Sequence, residues 1–368
     1  MDGDPRDLGC WERYDPGSEG AARRVAVKDL IDAAGLPTTA GSRRWSRDAP
    51  EDAACVAALR AAGWAVAGKA HTNEWAFGID GRNPWRPDCL NPWDASRLPG
   101  GSSSGPAVAV AAGYAEAGLG TDTSGSVRVP AALCGVAGLR PTPGRVSREG
   151  VLPLAPSYDV VGVLAADVAT VASVFSVIAD APSAEGVREP PELPRLGVVS
   201  SLLREGDDGV LAVVRDAARS LGSLDAVDVA GLDAALEVHR VVQHYEACRS
   251  YAETGCALDD LAPDVAARIR GGWEISDDDY AVAQRARAAL AEAIVGALDG
   301  FDALVAPTVP IVAPPRATDS DEVRPALLSC VVPFSQAPVP SVSVPCGFVD
   351  GLPVGLQLVG KPGQDEAL

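Results

Sequence analysis

The sequence predicts an α/β fold in which helices pack on a mainly parallel or mixed β-sheet. Short apolar runs of strand length alternate with longer alanine-rich stretches of helical length, which is typical of layered α/β proteins. With 368 residues and 47% hydrophobic content, the chain can bury a large core in one large domain or two. The strand runs lie at 24–27, 65–68, 196–199, 303–306, 341–344 and 354–359, and the helical stretches at 51–62, 107–117, 169–179, 208–221 and 280–298.

The middle of the chain differs in composition from the two ends. Residues 181–194 are rich in proline and glutamate, which predicts a surface loop. Beyond this loop, residues 200–300 are acidic and helical in character and contain Trp273 and Tyr280. We interpret this stretch as a variable region that shapes a substrate pocket.

The charge balance excludes several classes of partner. A net charge of −19 disfavours binding to nucleic acid or to an anionic membrane, because phosphate contacts need a basic surface. The N-terminus has no basic region followed by an apolar one, and no apolar run reaches the length of a membrane span. We therefore expect a cytoplasmic enzyme that acts on a small molecule, without a nucleic-acid or membrane partner; a homodimer is left open.

Cysteine and histidine spacing predicts neither a metal site nor another cofactor. The eight cysteines form no Cys-x-x-Cys motif and are expected to be reduced thiols in a chain of this length. His71 has no second ligand at metal spacing and is interpreted as structural. His239 and His244 fall on opposite sides of a predicted helix.

Two glycine- and serine-rich segments carry the most specific chemical signal. Residues 100–105 read GGSSSG, and residues 118–126 read GLGTDTSGS. Glycines let the backbone approach a ligand and turn several N–H groups toward one point, while serine hydroxyls can attack a substrate or relay a proton. The pair of segments therefore predicts nucleophilic catalysis, for which a base is still needed.

Lys28 is the predicted base. It is one of only three lysines and lies in the apolar run 25–31, VAVKDLI, where a charge is unexpected. Desolvation and nearby cations lower the pKa of a lysine, and a neutral amine can accept a proton from serine near neutral pH.

With these three features the chain resembles the amidase signature hydrolases. The family pattern has a Val-Lys-Asp context (27–29 here), a Gly-Gly-Ser-Ser segment (100–103) and a Gly-Thr-Asp-x-x-Gly-Ser-x-Arg-x-Pro segment (120–130). The likeness continues at 134–135, 138–142 and 157–159 and returns more weakly at 345–347 and 352–357. It covers roughly residues 22–180 and 300–362, with the variable region at about 200–300 between them.

The resemblance implies a fold and a set of roles. The fold is a single large amidase-signature domain over residues 1–368, with a central mixed sheet flanked by helices on both faces. Ser126 is implied as the acyl-accepting nucleophile, and Ser102 as the bridging serine, which follows a cis peptide bond after Gly101. In this scheme Ser102 passes the proton between Ser126 and Lys28.

The resemblance also implies the groups around this triad. The oxyanion hole is expected to be formed by backbone N–H groups. A polar shell is expected to fix the loop, with Ser103 supporting Lys28 or Ser102. The oxyanion donors are Thr123, Ser124, Gly125 and Ser126, and the supporting residues are Ser103, Asp122, Ser124 and Arg128.

The chain departs from the family pattern in three places. Pro106 stands where relatives have a small residue. Proline is tolerated here, because it falls at the first turn of the helix predicted at 107–118. Only 27 residues precede Lys28, as in a shorter subset that includes plant-type indole-3-acetamide hydrolases. The last residues, 364–368, resemble the start of a helix, from which we expect the native chain to continue beyond Leu368.

Each motif also has another interpretation. The 100–105 run could be a flexible loop. The pattern at Gly101, Ser103 and Gly105 fits a nucleophile elbow, but the preceding segment is not a strand and no histidine lies in the last third of the chain. No Gly-Lys-Ser/Thr follows the 118–126 run, so a phosphate-binding loop is disfavoured. Cys134 lies among apolar residues and is interpreted as core.

The predicted function is an amidase that hydrolyses a non-peptide C–N bond to a carboxylate and ammonia or an amine. Three alternatives remain: an amide-forming or transacylating enzyme, the glutamine-amidase subunit of an amidotransferase, and an inactive scaffold, against which the intact triad argues. The aromatic residues in segments that could line a pocket could equally be core; they are Trp75, Phe77, Tyr158 and Phe334.

Overall fold

The structure is a computed structural model that describes residue 4, residues 7–180 and residues 193–368, so most of the predicted loop at 181–194 lies outside the described residues. The strands are β1 (Trp11–Tyr14), β2 (Arg24–Lys28), β3 (Ala65–Ala70), β4 (Ala117–Asp122), β5 (Ala137–Arg140), β6 (Val160–Ala165), β7 (Arg195–Val199), β8 (Ser223–Val227), β9 (Ala303–Pro307), β10 (Ser341–Val349) and β11 (Leu352–Val359). The helices are α1 (Ala54–Ala61), α2 (Ser104–Ala111), α3 (Arg128–Cys134), α4 (Val168–Ile178), α5 (Asp208–Leu221), α6 (Ala235–Ala252), α7 (Pro263–Trp273), α8 (Asp277–Ala297), α9 (Ser320–Ser329) and α10 (Val332–Ser335).

The strands form one 11-stranded sheet in the order β1-β3-β2-β4-β6-β5-β10-β11-β9-β7-β8. Strands β3, β2 and β4 are mutually parallel, as are β8, β7 and β9, whereas the central strands β6, β5, β10 and β11 pair antiparallel. The prediction of an α/β fold around a mixed sheet is confirmed.

Helices cover both faces of the sheet, because strand residues on both faces are apolar and must be buried. On one face, Val25 and Val27 of β2 pack with α1 and α4. On the other, Ala26 of β2 and Ala70 of β3 pack with α2 and α3. Gly105 of α2 allows this close packing, because a Cβ there would come within 2.2 Å of the backbone nitrogen of His71, just after β3.

The predicted helix at 107–117 differs most from the structure. Helix α2 begins earlier, at Ser104, and ends at Ala111, after which Gly113 has φ +76° and the chain turns into β4. Pro106 lies in the first turn of α2 as expected, where its missing N–H removes no helical hydrogen bond. Residues 117–122 are a buried strand instead of the end of a helix.

Helices α6 and α7 form a layer that packs over the loops between strands, whereas the C-terminal part of α8 packs against β9 of the sheet. Cys248 of α6 and Ile269 of α7 bury apolar surface against Trp75 and Phe77. Helix α8 begins where the Ser276 side chain accepts a hydrogen bond from Asp279 N, and three aspartates in its first turn interact favourably with the helix dipole. None of the helices in the described ranges is long and apolar enough to cross a bilayer.

Candidate active site

The two serine-rich segments and Lys28 meet at one edge of the sheet. Strands β2 and β4 are parallel neighbours, with Val27 opposite Leu119, so their carboxyl ends lie side by side. Lys28 is the last residue of β2, and the loop that carries Ser126 follows Asp122 at the end of β4. The structure thus brings together the segments of all three predicted catalytic residues.

Lys28 is fully buried and surrounded by hydroxyl groups. Its Nζ lies 2.8 Å from Ser102 Oγ and 2.7 Å from Thr121 Oγ1, and the Thr121 carbonyl is 3.4 Å away. Burial lowers the pKa of Lys28 to about 7, although the charges of Asp122 and Asp159 oppose this effect. A large part of this amine is therefore unprotonated near neutral pH.

Ser102 is held by the glycine that precedes it. The Gly101–Ser102 peptide bond is cis, as the family resemblance implies. Gly101 N–H donates to the carbonyl of Ile79 over 2.7 Å. A Cβ at Gly101 would come within 2.3 Å of Asn73 Oδ1, so the site needs glycine at this position for the close approach of Asn73.

Ser126 lies on the turn that precedes α3, and only 4% of its surface is exposed. Its carbonyl accepts a hydrogen bond of 3.1 Å from Ser103 N–H, which places the backbone of Ser126 beside the Ser102–Ser103 segment. Among the described residues we find no hydrogen bond to the Ser126 hydroxyl. The structure brings Lys28 and Ser102 into direct contact and leaves the hydroxyl of Ser126 free of any partner in these ranges.

The predicted set of four oxyanion donors needs one correction. Gly125 N–H donates to Asp122 Oδ1 over 2.8 Å, because the Asp122 carboxylate folds back under the loop and also accepts from Val127 N–H at 3.2 Å. Gly125 N–H is therefore already occupied. Within the described chain, the N–H groups of Thr123, Ser124 and Ser126 have no hydrogen-bond acceptor.

Asp122 and Arg128 form a buried ion pair beneath this loop. Arg128 Nε and Nη2 donate to the two carboxylate oxygens over 3.0 and 2.9 Å, and both side chains are fully buried. Burial alone would raise the pKa of Asp122, but the charge and hydrogen bonds of Arg128, with Arg140 nearby, hold that pKa well below its usual range. This pair fixes the shape of the 122–128 loop.

Ser103 supports the lysine only indirectly. Its Oγ donates to the Thr121 carbonyl over 3.3 Å, the same carbonyl that lies near Lys28 Nζ, and it contacts neither Lys28 nor the Ser102 hydroxyl. The predicted support of Lys28 or Ser102 by the Ser103 side chain is thus corrected to a contact through Thr121.

Two residues of α6 hold the loop from the other side, and the sequence analysis missed this. Ser124 Oγ lies 2.7 Å from His239 Nε2 and accepts a hydrogen bond of 2.9 Å from Gln243 Nε2. Burial is the largest cause that lowers the pKa of His239 well below its ordinary value, so this ring is neutral and its Nε2 can accept from Ser124. The only sequence signal was the four-residue spacing of His239 and Gln243 on one helical face.

Asp159 holds the neighbouring residue of the loop. Thr123 Oγ1 donates to Asp159 Oδ1 over 2.6 Å, and Asp159 also accepts from the N–H groups of Leu154 and Ala155. Burial raises the pKa of Asp159 to about 6. A cavity of about 250 Å³ lies beside these groups, and Thr121, Asp159 and Leu154 are in its wall.

The four aromatic residues weighed as pocket candidates are all buried in packing. Trp75 contacts the rings of Trp45 and Tyr251, and Tyr158 donates from its hydroxyl to Gln336 over 2.9 Å. Phe77 and Phe334 are likewise enclosed. None of the four lines a cavity that we describe, which favours the core interpretation.

The cysteines and histidines do not assemble into a metal site in the described ranges: no group of three or more His, Cys, Asp or Glu side chains is arranged to hold an ion. Cys134 forms no disulfide, and burial raises the pKa of its thiol well above its usual range. Burial also lowers the pKa of His71 to about 4, and its Nδ1 lies 2.9 Å from Ser104 Oγ.

Comparison with known proteins gives consistent results. A family model described as Amidase matches residues 24–368. A glutamyl-tRNA(Gln) amidotransferase subunit from Symbiobacterium thermophilum is 40% identical over 93% of this chain and 79% of its own length. The protein of the same name from Chloroflexus aggregans is 36% identical over 94% of this chain and 80% of its own.

Solved structures agree with these sequence matches. A crystal structure of an amidase superposes with a TM-score of 0.89 at 34% identity, over 98% of this chain and 90% of that one. A protein from a vestigial complex, described in work on the evolutionary origins of an s-triazine catabolic enzyme, superposes with a TM-score of 0.90 at 29% identity, over 98% of this chain and 89% of that one.

Proposed function

The chain belongs to the amidase family of enzymes that act on C–N bonds, and on that premise we propose that it hydrolyses a small-molecule amide through an acyl-enzyme on Ser126. One observation carries the proposal: Lys28 is buried, its Nζ is 2.8 Å from Ser102 Oγ, and burial lowers its pKa to about 7. A neutral amine at this position can act as a base at physiological pH.

The first step moves a proton away from Ser126. Neutral Lys28 accepts the proton of the Ser102 hydroxyl as Ser102 accepts that of Ser126, so that the Ser126 oxygen attacks the amide carbonyl. The hydrogen bond from Ser103 N–H to the Ser126 carbonyl supports this relay, because it keeps the backbones of the two serine segments adjacent.

The negative oxygen of the tetrahedral intermediate needs donors that are not otherwise bonded. The N–H groups of Thr123, Ser124 and Ser126 meet this requirement among the described residues. The side chains of Thr123 and Ser124 are held by Asp159 and His239, so the donors are fixed before the reaction begins. Loss of one such donor costs about 3 kcal/mol in comparable hydrolases.

Collapse of the intermediate uses the same path in reverse. Protonated Lys28 returns its proton through Ser102 to the leaving nitrogen, the C–N bond breaks, and ammonia or an amine departs. Water then loses a proton to the relay, attacks the ester on Ser126 and releases the carboxylate. In an amide-forming or transacylating enzyme, the alternative left open by the sequence, an amine would replace this water.

A second candidate function is favoured by the names of the relatives. Both sequence relatives described above are named as one subunit of a glutamyl-tRNA(Gln) amidotransferase. In that case the chain would cleave glutamine within a complex and pass on the ammonia. Glutaminase activity that requires co-purified partners would support this candidate, whereas partner-free hydrolysis of simple amides would support the first.

The first experiment is an intact-mass measurement after exposure to a fluorophosphonate probe. We expect one adduct on the wild-type chain and none on Ser126→Ala. Ser220→Ala is the matched control, because Ser220 lies on the exposed face of α5 and donates only to a local carbonyl; it should be labelled like wild type. A folded wild-type chain that takes no adduct would contradict the proposed role of Ser126.

A further inference from the structure

A second cavity, of about 390 Å³, is lined by charged side chains. We call it the Arg324 cavity. Its charged wall consists of Asp80, Asp88, Asp264, Arg82, Arg268 and Arg324. The charges of these three acidic and three basic side chains would cancel if each carboxylate paired with an arginine of the wall. One of the carboxylates pairs with an arginine outside the wall instead.

The three carboxylates already have other arginine partners. Asp80 pairs with Arg82 at 3.0 Å, and Asp264 pairs with Arg268 at 3.0 Å. Asp88 pairs with an arginine outside the wall, Arg316. These pairs use every carboxylate of the wall and leave one guanidinium unmatched.

Arg324 is that unmatched group. It lies on α9, and within the described chain it has neither a hydrogen-bond acceptor nor an ion-pair partner. Burial lowers the pKa of Arg324 to about 10 and the charge of Arg268 adds to this effect, while the charges of Asp80, Asp321 and Asp264 oppose it. It therefore remains charged near neutral pH, and a cation that lacks an acceptor at a cavity wall binds an anion favourably.

The Arg324 cavity is close to the candidate active site. Asn73 and Ile79 belong to its wall. Asn73 lies against Gly101, and the Ile79 carbonyl accepts the hydrogen bond from Gly101 N–H. The cavity wall is therefore in direct contact with the residue that precedes Ser102.

Arg324 is also close enough to α6 for its charge to act on His239. After burial, the positive charge of Arg324 is the largest cause that lowers the pKa of His239. His239 Nε2 is the atom bonded to Ser124 Oγ. The charge of Arg324 therefore acts on a residue of α6 that holds the loop of proposed oxyanion donors.

We propose that Arg324 binds a carboxylate of the substrate, so that the enzyme acts on anionic amides such as the monoamides of dicarboxylic acids. This inference rests on the proposed amidase function and names its substrate class. A carboxylate fits better than a phosphate, because the wall offers one unmatched cation beside three acidic residues. The planar guanidinium matches the two carboxylate oxygens.

The binding test uses Ser126→Ala, which cannot turn over substrate. Calorimetry measures its affinity for four anionic amides: malonamate, succinamate, glutaramate and adipamate. The control for each is a neutral isostere in which a branched alkyl end replaces the carboxylate, such as 4-methylpentanamide for succinamate. We expect one of the anionic amides to bind, and its affinity to fall about 10- to 100-fold when Arg324→Gln is added, as for a lost hydrogen bond to a charged group. Arg324→Lys should keep part of the affinity.

The kinetic test compares the same pairs of amides with otherwise wild-type enzyme. We expect kcat/KM to favour the anionic amide, and Arg324→Gln to lower kcat/KM for that substrate about 10- to 100-fold, mainly through KM, with little change for the neutral isostere. Arg219→Gln removes an exposed charge of α5 and should leave both values unchanged. Equal losses on both substrates, or no preference in the wild-type enzyme, would overturn the inference.

The two hypotheses fail in different ways. In the first case, Ser126 is labelled by the fluorophosphonate, but Ser126→Ala binds the anionic amides equally well with and without Arg324→Gln. This result would overturn the carboxylate site and leave the amidase proposal standing. Binding that depends on Arg324, with no labelling and no turnover, would support the carboxylate site and contradict the amidase proposal.

Discussion

Lys28 and Lys69 are two buried lysines on neighbouring parallel strands, and they differ in what surrounds the ammonium group. Lys69 lies 3.2 Å from the Asp29 carboxylate and donates to the Ile31 carbonyl and to Thr38 Oγ1 over 2.6 and 2.7 Å. Lys28 forms no ion pair within the described chain and contacts only the neutral oxygens of serine and threonine.

The sheet separates these two environments. Lys69 is in register with Val27, so it points to the face opposite that of Lys28. Burial lowers the pKa of both lysines, but at Lys69 the adjacent Asp29 charge opposes this effect. The comparison teaches that burial alone does not make a lysine a base, because the adjacent Asp29 carboxylate favours the protonated form of Lys69 and pairs with it.

The largest expected effect is that of Lys28→Met on activity. Removal of the proposed base should lower kcat/KM and the rate of fluorophosphonate labelling by about 10²- to 10⁴-fold, while the free energy of unfolding stays the same or rises because an apolar side chain replaces a buried amine. Enzyme kinetics and chemical denaturation check the two parts. Lys361→Met, outside the site, is the matched control. Normal activity in Lys28→Met would contradict the proposal that Lys28 is the base.

Lys69→Met should give the opposite result. It leaves the Asp29 carboxylate buried without its cation, which should lower the free energy of unfolding by about 3–5 kcal/mol, while the folded fraction still reacts with the probe. Asp29→Asn combined with Lys69→Met should recover part of this loss. Loss of labelling without loss of stability would mean that the roles of the two lysines are reversed.

The pH dependence should follow Lys28. Activity should rise with pH through about 7 as Lys28 loses its proton, whereas its ordinary pKa in the unfolded chain is 10.5. Between these two values the unfolded chain binds more protons than the folded one, so the contribution of Lys28 to the free energy of unfolding increases with pH. Lys28→Met should abolish this increase. A rate that is flat from acid to alkaline pH would contradict the role of Lys28.

The smallest expected effect is that of Thr121→Val. It removes the oxygen that lies 2.7 Å from Lys28 Nζ while keeping the shape of the side chain. Loss of an acceptor disfavours the protonated amine, so the pH–rate profile should move to lower pH, by about one unit at most. This change would make Lys28 differ still more from Lys69. A shift to higher pH would show that Thr121 stabilises the neutral amine instead.

The sequence predicted the elements of the site that are local in the chain. Lys28, Ser102 and Ser126 each lie in a short motif, and the structure places these motifs at one edge of the sheet. The helix α5 was predicted over the same residues, 208–221, that the structure assigns to it. In both cases the signal comes from adjacent residues or from a regular period.

What the sequence could not show depends on distant contacts. Strand β4 was missed because glycine disfavours strands. In the structure, a Cβ at Gly118 would come within 2.8 Å of Pro106, and a Cβ at Gly120 within 2.6 Å of Ser103. Packing therefore selects glycine at both positions. The partnership of Ser124 with α6 spans 115 residues and falls in the region outside the family resemblance. The bond from Gly125 N–H to Asp122 depends on one side-chain rotamer.

The contacts of Arg128 have a consequence for the order in which the protein is made. Its guanidinium joins Asp122 to the Val331 carbonyl, to Ser335 Oγ and to Gln357 Oε1 on β11. A chain emerging from the ribosome has all three proposed catalytic residues once residue 126 has appeared, but the loop that holds Ser126 receives its last hydrogen bonds only once residue 357 has appeared. Nascent chains should therefore remain unreactive toward the probe until β11 is added to the sheet.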